Sequence, residues 1–348
     1  MIKVEKTKMS GKALLQMDDG RLIAYHKGQI VVYKREIPIM RVSLPMPIWK
    51  RYACKIRLLE RAFHTDVRWA VDISNYEILF LFQNVVYKIN LKKGSMEKDF
   101  SGFRGQPFSV IRIGDRVLMG DYGTNNAREP VNIYERREGK WRIAYTFPSG
   151  TIRHIHNIVP INNHFYVLTG DEDNESGIWE SNNEITCMEP LLLGKQQYRC
   201  CQLLANIENK GWFLTDAPSE SNWLYCFSDK EVKPVCEIPG TVIYGTQYND
   251  SLVFSTTVEP EAHAKNRLDY WLTTKPGSGV KGNEVKVYLL KNGKLQEISS
   301  FEHDGMPLRL FQYASVYFSN IINGNGYMTA TSVKHYDNVI MRLEFTFT

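Results

Sequence analysis

The sequence predicts an all-β protein that folds as a single β-propeller of seven four-stranded blades, with six or eight blades as the alternatives. Three observations carry this prediction. A turn rich in Gly, Asn or Asp followed by a short apolar strand occurs seven times in the 348 residues. Equivalent aspartates are 50 residues apart from Asp121 to Asp171 and 45 apart from Asp171 to Asp216. No long amphipathic helical pattern competes with these strands.

Each repeated unit contains enough strand pattern for one blade. An apolar segment precedes the turn, as at 108–112, and further strands follow it, as at 131–134 and 141–145. These segments are rich in β-branched and aromatic residues, which favour pleated and half-buried surfaces. The seven turns begin at Asp18, Ser74, Gly114, Asn162, Asn209, Asn249 and Asn323.

Three segments need a separate interpretation within the single domain 1–348. Residues 53–63 show apolar spacing that predicts one short helix in a connection between blades. Residues 258–284 form the longest interruption, and long loops in compact domains are often functional or mobile. We expect this loop beside the ligand face, with a disordered insertion as the alternative. The last strand pattern, 339–346, is expected to close the ring with a strand from the other terminus.

Composition narrows the class of protein and its surroundings. The chain has 43 Lys+Arg and 38 Asp+Glu, and its formal charge of +5 is spread out, so we expect no nucleic-acid partner. The sequence contains no run of about 18 apolar residues, so we expect no membrane span. The six cysteines lack CxxC spacing, which favours reduced thiols in a cytoplasmic location. The amino-terminal segment does not resemble a signal peptide, and the oligomeric state is left open.

One segment concentrates ionisable side chains. His154 and His156 are two residues apart in a predicted strand, so both are expected on one side, with Arg153 on the other. The next strand runs antiparallel and ends at Gly170-Asp171, which places Asp171 about 5 Å from the histidine pair. The acidic run 171–175 follows directly. The sequence therefore predicts a charged cluster at one rim of the propeller.

Neighbouring blades offer carboxylates at equivalent positions, with Asp121 and Tyr122 in the blade before and Asp216 in the blade after. Two neutral imidazoles with Asp171 are a plausible set of ligands for a divalent metal. The same groups could act as general acid and base, because histidine titrates near neutral pH. Alternatively, the histidines bind backbone groups and the aspartates cap turns. The cofactor is therefore left open, with a divalent metal as one option.

The segment 120–179 resembles the sialidase-like (BNR-repeat) β-propeller proteins associated with bacterial polysaccharide genes. The resemblance rests on GDYG at 120–123, on the run 145–156, on TGDED at 169–173 and on SGIW at 176–179. The Asp-box turns of true sialidases are degenerate here, and no arginine lies in a diagnostic motif.

The resemblance implies a propeller enzyme, a glycoside hydrolase or polysaccharide lyase, that acts on an acidic bacterial polysaccharide or oligosaccharide. The alternative is a non-catalytic propeller that binds a sugar or a protein. An arginine fork suits the recognition of a sugar carboxylate. The candidate catalytic residues are His154, His156, Asp121, Asp171, Arg153 and Tyr122, and the candidate metal ligands are His154, His156 and Asp171.

Overall fold

The computed structural model describes residues 2–161, 163–205, 210–228, 230–261 and 264–346. Seven sheets of four antiparallel strands form a ring around a central channel, so the predicted all-β propeller of seven blades is confirmed. Asn162 and Asn209, which begin two of the predicted turns, lie outside the described residues. In every blade, the strand at the inner end of the sheet contacts its counterpart in the neighbouring blades.

The first four blades follow chain order from the channel outwards. Blade 1 contains β2 (Lys12–Gln16), β3 (Arg21–His26), β4 (Gln29–Lys34) and β5 (Ile37–Ser43). Blade 2 contains β6 (Ala70–Ser74), β7 (Glu77–Phe82), β8 (Val85–Asn90) and β9 (Ser95–Phe100). Blade 3 contains β10 (Val110–Ile113), β11 (Arg116–Gly120), β12 (Val131–Arg137) and β13 (Lys140–Phe147). Blade 4 contains β14 (His154–Ile161), β15 (His164–Gly170), β16 (Gly177–Asn182) and β17 (Glu189–Leu193).

The remaining three blades complete the ring. Blade 5 contains β18 (Cys200–Ala205), β19 (Lys210–Thr215), β20 (Asn222–Ser228) and β21 (Glu231–Ile238). Blade 6 contains β22 (Val242–Tyr248), β23 (Ser251–Thr256), β24 (Glu284–Lys291) and β25 (Lys294–Glu302). Blade 7 contains β26 (Ser315–Phe318), β27 (Asn325–Thr331), β28 (Val339–Phe345) and β1 (Ile2–Ser10).

Blade 7 joins the two ends of the chain. Its outermost strand, β1, pairs antiparallel with β28, with Ile2 opposite Phe345 and Val4 opposite Leu343. The last strand pattern of the sequence was expected to close the ring in this way, and the structure contains that closure. Because β1 covers the edge of β28, the ring ends on a sheet built from both termini.

The hydrophobic core lies between the blades. Among the described residues, seven clusters of buried side chains each draw on two neighbouring blades, and together they account for all seven contacts around the ring. One cluster, for example, packs Leu168 and Ile178 of blade 4 against Leu203 and Phe213 of blade 5. Because side chains alternate between the two faces of a strand, central strands such as β3 and β7 are buried on both faces between neighbouring blades, whereas outermost strands such as β5 and β13 stay largely exposed.

The predicted short helix at 53–63 is only partly right. The connection between blades 1 and 2 contains two helices, α1 (Ile48–Ala53) and α2 (Arg57–Ala62). Only α2 falls within the predicted range. A third helix, α3 (Arg267–Leu272), lies within the long loop 258–284. These helices have about one and a half turns each, and a periodicity that short gives only a weak signal in the sequence.

The long loop 258–284 packs against blade 5 in its described part. Gly279 donates its backbone N–H to Pro218, and its carbonyl oxygen accepts a hydrogen bond from the buried Asn222 side chain. At the start of the loop, Thr241 donates its hydroxyl to the carboxylate of Glu259 at 2.7 Å. The loop therefore begins close to the channel, beside the residues described below.

All six cysteines are unpaired, in agreement with the predicted reduced thiols. Cys54, Cys200 and Cys201 are buried, whereas Cys187 is exposed. The cytoplasmic location inferred from the cysteines stays a prediction. Within the described ranges, the helices are too short and too polar to cross a membrane.

Candidate functional site

The site lies at the end of the channel where the innermost strands begin. In blades 1 to 6 the innermost strand comes first in the chain, and the second strand runs antiparallel to it. The last residue of the second strand therefore lies beside the first residue of the innermost strand. In blade 4, the register pairs His154 with Gly170. Asp171 therefore follows directly at the rim, beside the start of β14. The same geometry places Asp216 beside the start of β18.

His154, His156 and Asp171 meet, and we call them the histidine cluster. His154 Nε2 and His156 Nε2 are 3.1 Å apart. Asp171 Oδ1 lies 3.4 Å from His154 Nε2 and 3.3 Å from His156 Nε2. Both histidine side chains are buried, whereas 23% of the Asp171 side chain is exposed. The structure thus brings together the three residues that the sequence proposed as metal ligands.

A β-bulge brings His156 into this position. The pairing of β14 with β15 shifts between Ile155 and Asn157, so that His156 has no direct partner in the ladder. Bulges of this kind redirect a side chain and are common beside functional sites. The ring of His156 also depends on Gly170, because a Cβ atom there would lie 2.7 Å from His156 Cε1.

Two arginines flank Asp171. Arg153 Nη1 lies 3.2 Å from Asp171 Oδ2, and Arg199 Nη2 lies 3.2 Å from Asp171 Oδ1. Burial alone would raise the pKa of Asp171, but hydrogen bonds from His154 and His156, whenever their Nε2 atoms carry a proton, and the charge of Arg199 hold that pKa below its usual range. Asp171 therefore favours the carboxylate form.

The expectation that Arg153 faces away from the histidines is wrong. Strand β14 begins at His154, so Arg153 belongs to the preceding loop and does not follow the alternation of a strand. Its guanidinium also donates to Asn126 Oδ1 at 2.8 Å. Arg199 has the same place in blade 5, directly before β18. The sequence reasoning did not single out Arg199, although the repeat register could have identified it.

Asp121 has a different environment. Asp121 Oδ1 accepts the backbone N–H of Arg104 at 2.6 Å, and Oδ2 accepts the backbone N–H of Asn132 at 2.9 Å. This is the turn-capping role that the sequence analysis kept as the alternative. Tyr122, by contrast, packs on the histidine cluster, with its ring centroid 4.3 Å from that of His154. The structure therefore places Tyr122 at the site and Asp121 beside it.

Asp216 extends the charged site into blade 5. Its Oδ2 lies 3.6 Å from Arg199 Nε and 3.5 Å from Cys201 Sγ, while its Oδ1 is buried without a hydrogen-bond partner. Burial is the main cause that raises the pKa of Asp216 to about 8, and the charge of Glu259 adds to it. Asp171 and Asp216 share Arg199 but favour opposite protonation states.

A belt of aromatic rings crosses the channel next to this cluster. Phe108 of blade 3 stacks on Tyr244 of blade 6 with ring centroids 5.6 Å apart, and Tyr244 packs on Tyr317 at 4.5 Å. Arg68 lies over Phe108, 4.5 Å from its centroid, and 5.7 Å from the centroid of Tyr122.

The belt separates two cavities that Arg68, Tyr244 and Tyr317 line in common. The larger cavity, about 720 Å³, extends along the innermost strands to their far ends. The smaller one, about 290 Å³, lies at the end where these strands begin and is also lined by Asp66 and Tyr313. The smaller cavity is therefore at the same end of the channel as the histidine cluster. No sequence motif marked Arg68 or the tyrosines as neighbours.

Comparisons with known proteins support the fold. No protein-family model matches the chain, and a search of the curated proteins finds no match. Among solved structures, the chain is similar over its full length to the extracellular domain of a protein described as a one-component system from B. thetaiotaomicron, with a TM-score of 0.55 and 14% identity. The chain spans 40% of the length of that extracellular domain.

Two further structures match over nearly the whole chain. A chain of the mitotic checkpoint complex has a TM-score of 0.58 and 8% identity, and the match covers 99% of this chain and 91% of that one. The computationally designed Ika8 protein has a TM-score of 0.52 and 8% identity, with 98% of both chains covered. Similarity at this level of identity shows the propeller fold and carries no information about activity.

Proposed function

We propose that this propeller binds the carboxylate of an acidic glycan at Arg68 and cleaves the glycan with groups of the neighbouring site. The observation that carries the proposal is an unpaired cation in the channel. Arg68 is half-buried, its Nε has no hydrogen-bond partner, and no carboxylate among the described residues lies within ion-pair distance of it. Asp66 lines the same cavity and is influenced by the charge of Arg68, but its carboxylate pairs with Lys12 at 2.8 Å. A half-buried guanidinium without a direct ion-pair partner favours an anionic ligand, which it can hold with two parallel hydrogen bonds.

The surroundings of Arg68 suit a sugar. Four tyrosines lie close enough to the Arg68 guanidinium to interact with it electrostatically: Tyr122, Tyr244, Tyr313 and Tyr317. Burial raises the pKa of each of these tyrosines, so their hydroxyl groups stay protonated and can donate hydrogen bonds. A tyrosine offers both an apolar ring face and a polar tip. This combination matches the apolar faces and the hydroxyl groups of a sugar ring.

Groups for acid–base chemistry lie next to this surface. Tyr122 links them, because its ring packs on His154 and also faces Arg68. The neighbouring carboxylates Asp171 and Asp216 have pKa values moved in opposite directions. Paired groups whose environments separate their pKa values are typical of acid–base sites. Either hydrolysis or elimination of a uronic acid could use such a set, and the products distinguish the two.

The second candidate is a propeller that binds the glycan without cleaving it. The observation in its favour is that Arg153 and Arg199 already neutralise Asp171. Networks of this kind also occur in purely structural sites. Both candidates use Arg68 for recognition, and they differ only in turnover.

The experiment uses a panel of uronate- and sialate-containing glycans, with neutral glycans of similar length for comparison. Binding is measured by calorimetry, and cleavage by reducing ends and by the absorbance of unsaturated uronate. We expect Arg68→Met to weaken binding of acidic glycans about 10- to 100-fold, which corresponds to the loss of hydrogen bonds to a charged group. The matched control is Arg112→Met, because Arg112 pairs with Asp72 in the opposite half of the channel.

The double substitution His154→Ala with His156→Ala separates the two candidates. If the enzyme interpretation holds, the wild type releases products and the double variant still binds but releases none. Saturable binding without products in the wild type supports the binding protein instead. Equal affinity for acidic and neutral glycans, or unchanged binding by Arg68→Met, contradicts the assignment of Arg68 in both.

A further inference from the structure

The hydrogen bonds of the two histidines determine which ring nitrogens carry protons. His154 Nδ1 lies 3.0 Å from the carbonyl oxygen of Gly123, and His156 Nδ1 lies 3.2 Å from the carbonyl oxygen of Cys200. A carbonyl oxygen can only accept a hydrogen bond, so each Nδ1 must be the donor. In a neutral imidazole, the Nε2 atom then carries a lone pair.

Three acceptor atoms consequently face one another in the histidine cluster. The Nε2 atoms of His154 and His156 are 3.1 Å apart, and Asp171 Oδ1 lies 3.3 to 3.4 Å from each of them. Lone pairs that converge in a buried place repel each other unless a positive centre lies between them. That centre is either a proton or a metal ion.

The contacts of Asp171 favour the metal ion. Its distances to Arg153, Arg199 and both histidines are 3.2 to 3.4 Å. Hydrogen bonds between charged groups are shorter, about 2.7–2.9 Å, so neither arginine contact is a tight ion-pair hydrogen bond, and the two Nε2 atoms, which carry lone pairs, donate none. A proton shared between the two histidines would leave Asp171 Oδ1 with these long contacts only.

We propose that His154, His156 and Asp171 bind one divalent transition-metal ion, for which Zn²⁺ is the best fit. A tetrahedral Zn²⁺ with bonds of about 2.0–2.1 Å holds its ligand atoms about 3.3–3.4 Å apart. The three distances in the cluster, 3.1, 3.3 and 3.4 Å, match the edges of such a tetrahedron. Three protein ligands leave one position for water or substrate, as in catalytic zinc sites.

The backbone carbonyls of Gly123 and Cys200 then act as supporting groups. Histidine ligands of metals commonly donate their other ring N–H to a carbonyl or a carboxylate, which sets the tautomer and the orientation of the ring. Here both histidines have that partner without any rearrangement. The ligand atoms are therefore arranged before the ion binds, which reduces the cost of binding.

A second group of nearby donors fits a metal less well. His156, Cys201 and Asp216 also converge, and all three are buried. However, a cysteine binds metals as the thiolate, and burial raises the pKa of Cys201 well above its usual value. Burial also raises the pKa of Asp216, so neither group readily provides the anionic form. The histidine cluster is therefore the site of the ion.

The test measures metal binding by the whole chain in the absence of glycan, so its outcome does not depend on the proposed activity. Chelator-treated protein is titrated with Zn²⁺, and Co²⁺ serves as a spectroscopic probe of four-coordinate geometry. We expect one ion per chain, with the affinity reduced by more than about 100-fold in Asp171→Asn and His154→Gln, beyond the effect of losing a supporting group. Cys201→Ser and His303→Gln are the controls, and we expect both to bind like the wild type.

A second measurement needs no substitution. In ¹⁵N spectra of the wild type, two of the eight histidines should change their Nε2 signals when Zn²⁺ is added, while their Nδ1 atoms remain protonated. If the two histidines instead show imidazolium signals that Zn²⁺ leaves unchanged, a proton occupies the cluster and the proposal is wrong. Equal Zn²⁺ affinity of the wild type and Asp171→Asn also overturns it.

Discussion

Gly170 controls how closely His156 can approach the neighbouring strand. A Cβ atom at this position would lie 2.7 Å from His156 Cε1, 3.1 Å from its Nε2 and 3.3 Å from Arg199 Cγ. Real Cβ contacts are almost never that short, so any other residue would displace a ring or a guanidinium. The absence of a Cβ atom at Gly170 therefore allows the His156 ring and Arg199 to lie close to the end of β15.

We therefore expect Gly170→Ala to weaken Zn²⁺ binding about 10-fold or more, because the displaced imidazole loses its place among the three ligand atoms. Calorimetric titration of the purified variant measures this. Gly94→Ala is the control, because Gly94 adopts a φ of +65° in a turn where a Cβ atom meets nothing within 4 Å. It should lose a little stability and bind the ion normally. Normal binding by Gly170→Ala contradicts the assignment of His156.

At the scale of elements, the ring depends on the pairing of β1 with β28. Leu343 of β28 is fully buried, lies opposite Val4 of β1, and belongs to the core between blades 6 and 7. Thr7 adds a hydrogen bond from its hydroxyl group to the carbonyl oxygen of Ile340 at 2.7 Å. Strands from opposite ends of the chain are therefore held by apolar packing as well as by the ladder.

Leu343→Ala should lower the free energy of unfolding by about 2–5 kcal/mol, the range for removing a buried leucine side chain. Ile37→Ala on β5, the outermost strand of blade 1, is the matched control, because Ile37 is 64% exposed and its loss should change that free energy by less than about 0.5 kcal/mol. Urea denaturation measures both variants. A similar cost for the two substitutions would show that the joint between the termini adds little to stability.

At the scale of the whole molecule, the segment containing α1 and α2 ties blades together across the face of the ring. Arg61 of α2 donates to Asp304 and to the carbonyl oxygen of Phe311, both in the connection between blades 6 and 7. Arg57 reaches Asp337 in the connection between β27 and β28 of blade 7. The connection between blades 1 and 2 therefore contacts residues on the other side of blade 1.

This tie predicts how stability depends on pH. Burial alone would raise the pKa of Asp304, but the hydrogen bond from Arg61 outweighs burial and holds that pKa below its usual value. A carboxyl group with a lowered pKa in the folded state contributes stability above its unfolded pKa, and this contribution is lost as the pH falls toward the folded value. Asp304→Asn removes the charge at every pH and leaves the buried Arg61 without a carboxylate partner.

We expect Asp304→Asn to lower the free energy of unfolding at neutral pH by about 3–5 kcal/mol, as for a broken buried ion pair. The difference from the wild type should stay constant down to about pH 4, near the ordinary pKa of aspartate, and decrease below it. Thermal unfolding at a series of pH values measures this difference. A difference that does not change with pH would show that the carboxylate charge is not the stabilising feature.

The sequence by itself determined the class of fold, the number of blades and one part of the site. The turn and strand pattern is local and repeats seven times, so it is visible without knowledge of contacts. The sequence also predicts that His154, His156 and Asp171 lie close together, because antiparallel pairing places the start of one strand beside the end of the next. The sequence did not predict the short helix α1, because only its last residue, Ala53, lies within the apolar pattern 53–63.

Only the tertiary structure decided which charges have partners. Arg199 and Glu259 belong to neighbouring blades 5 and 6 and interact through their charges, although 60 residues separate them in the sequence and no local pattern relates them. The closure of the ring places Arg68 in the channel, where no carboxylate among the described residues lies within ion-pair distance of it. Ring closure sets the distances around the channel, and those distances determine whether a charged group is paired, protonated or available to a ligand.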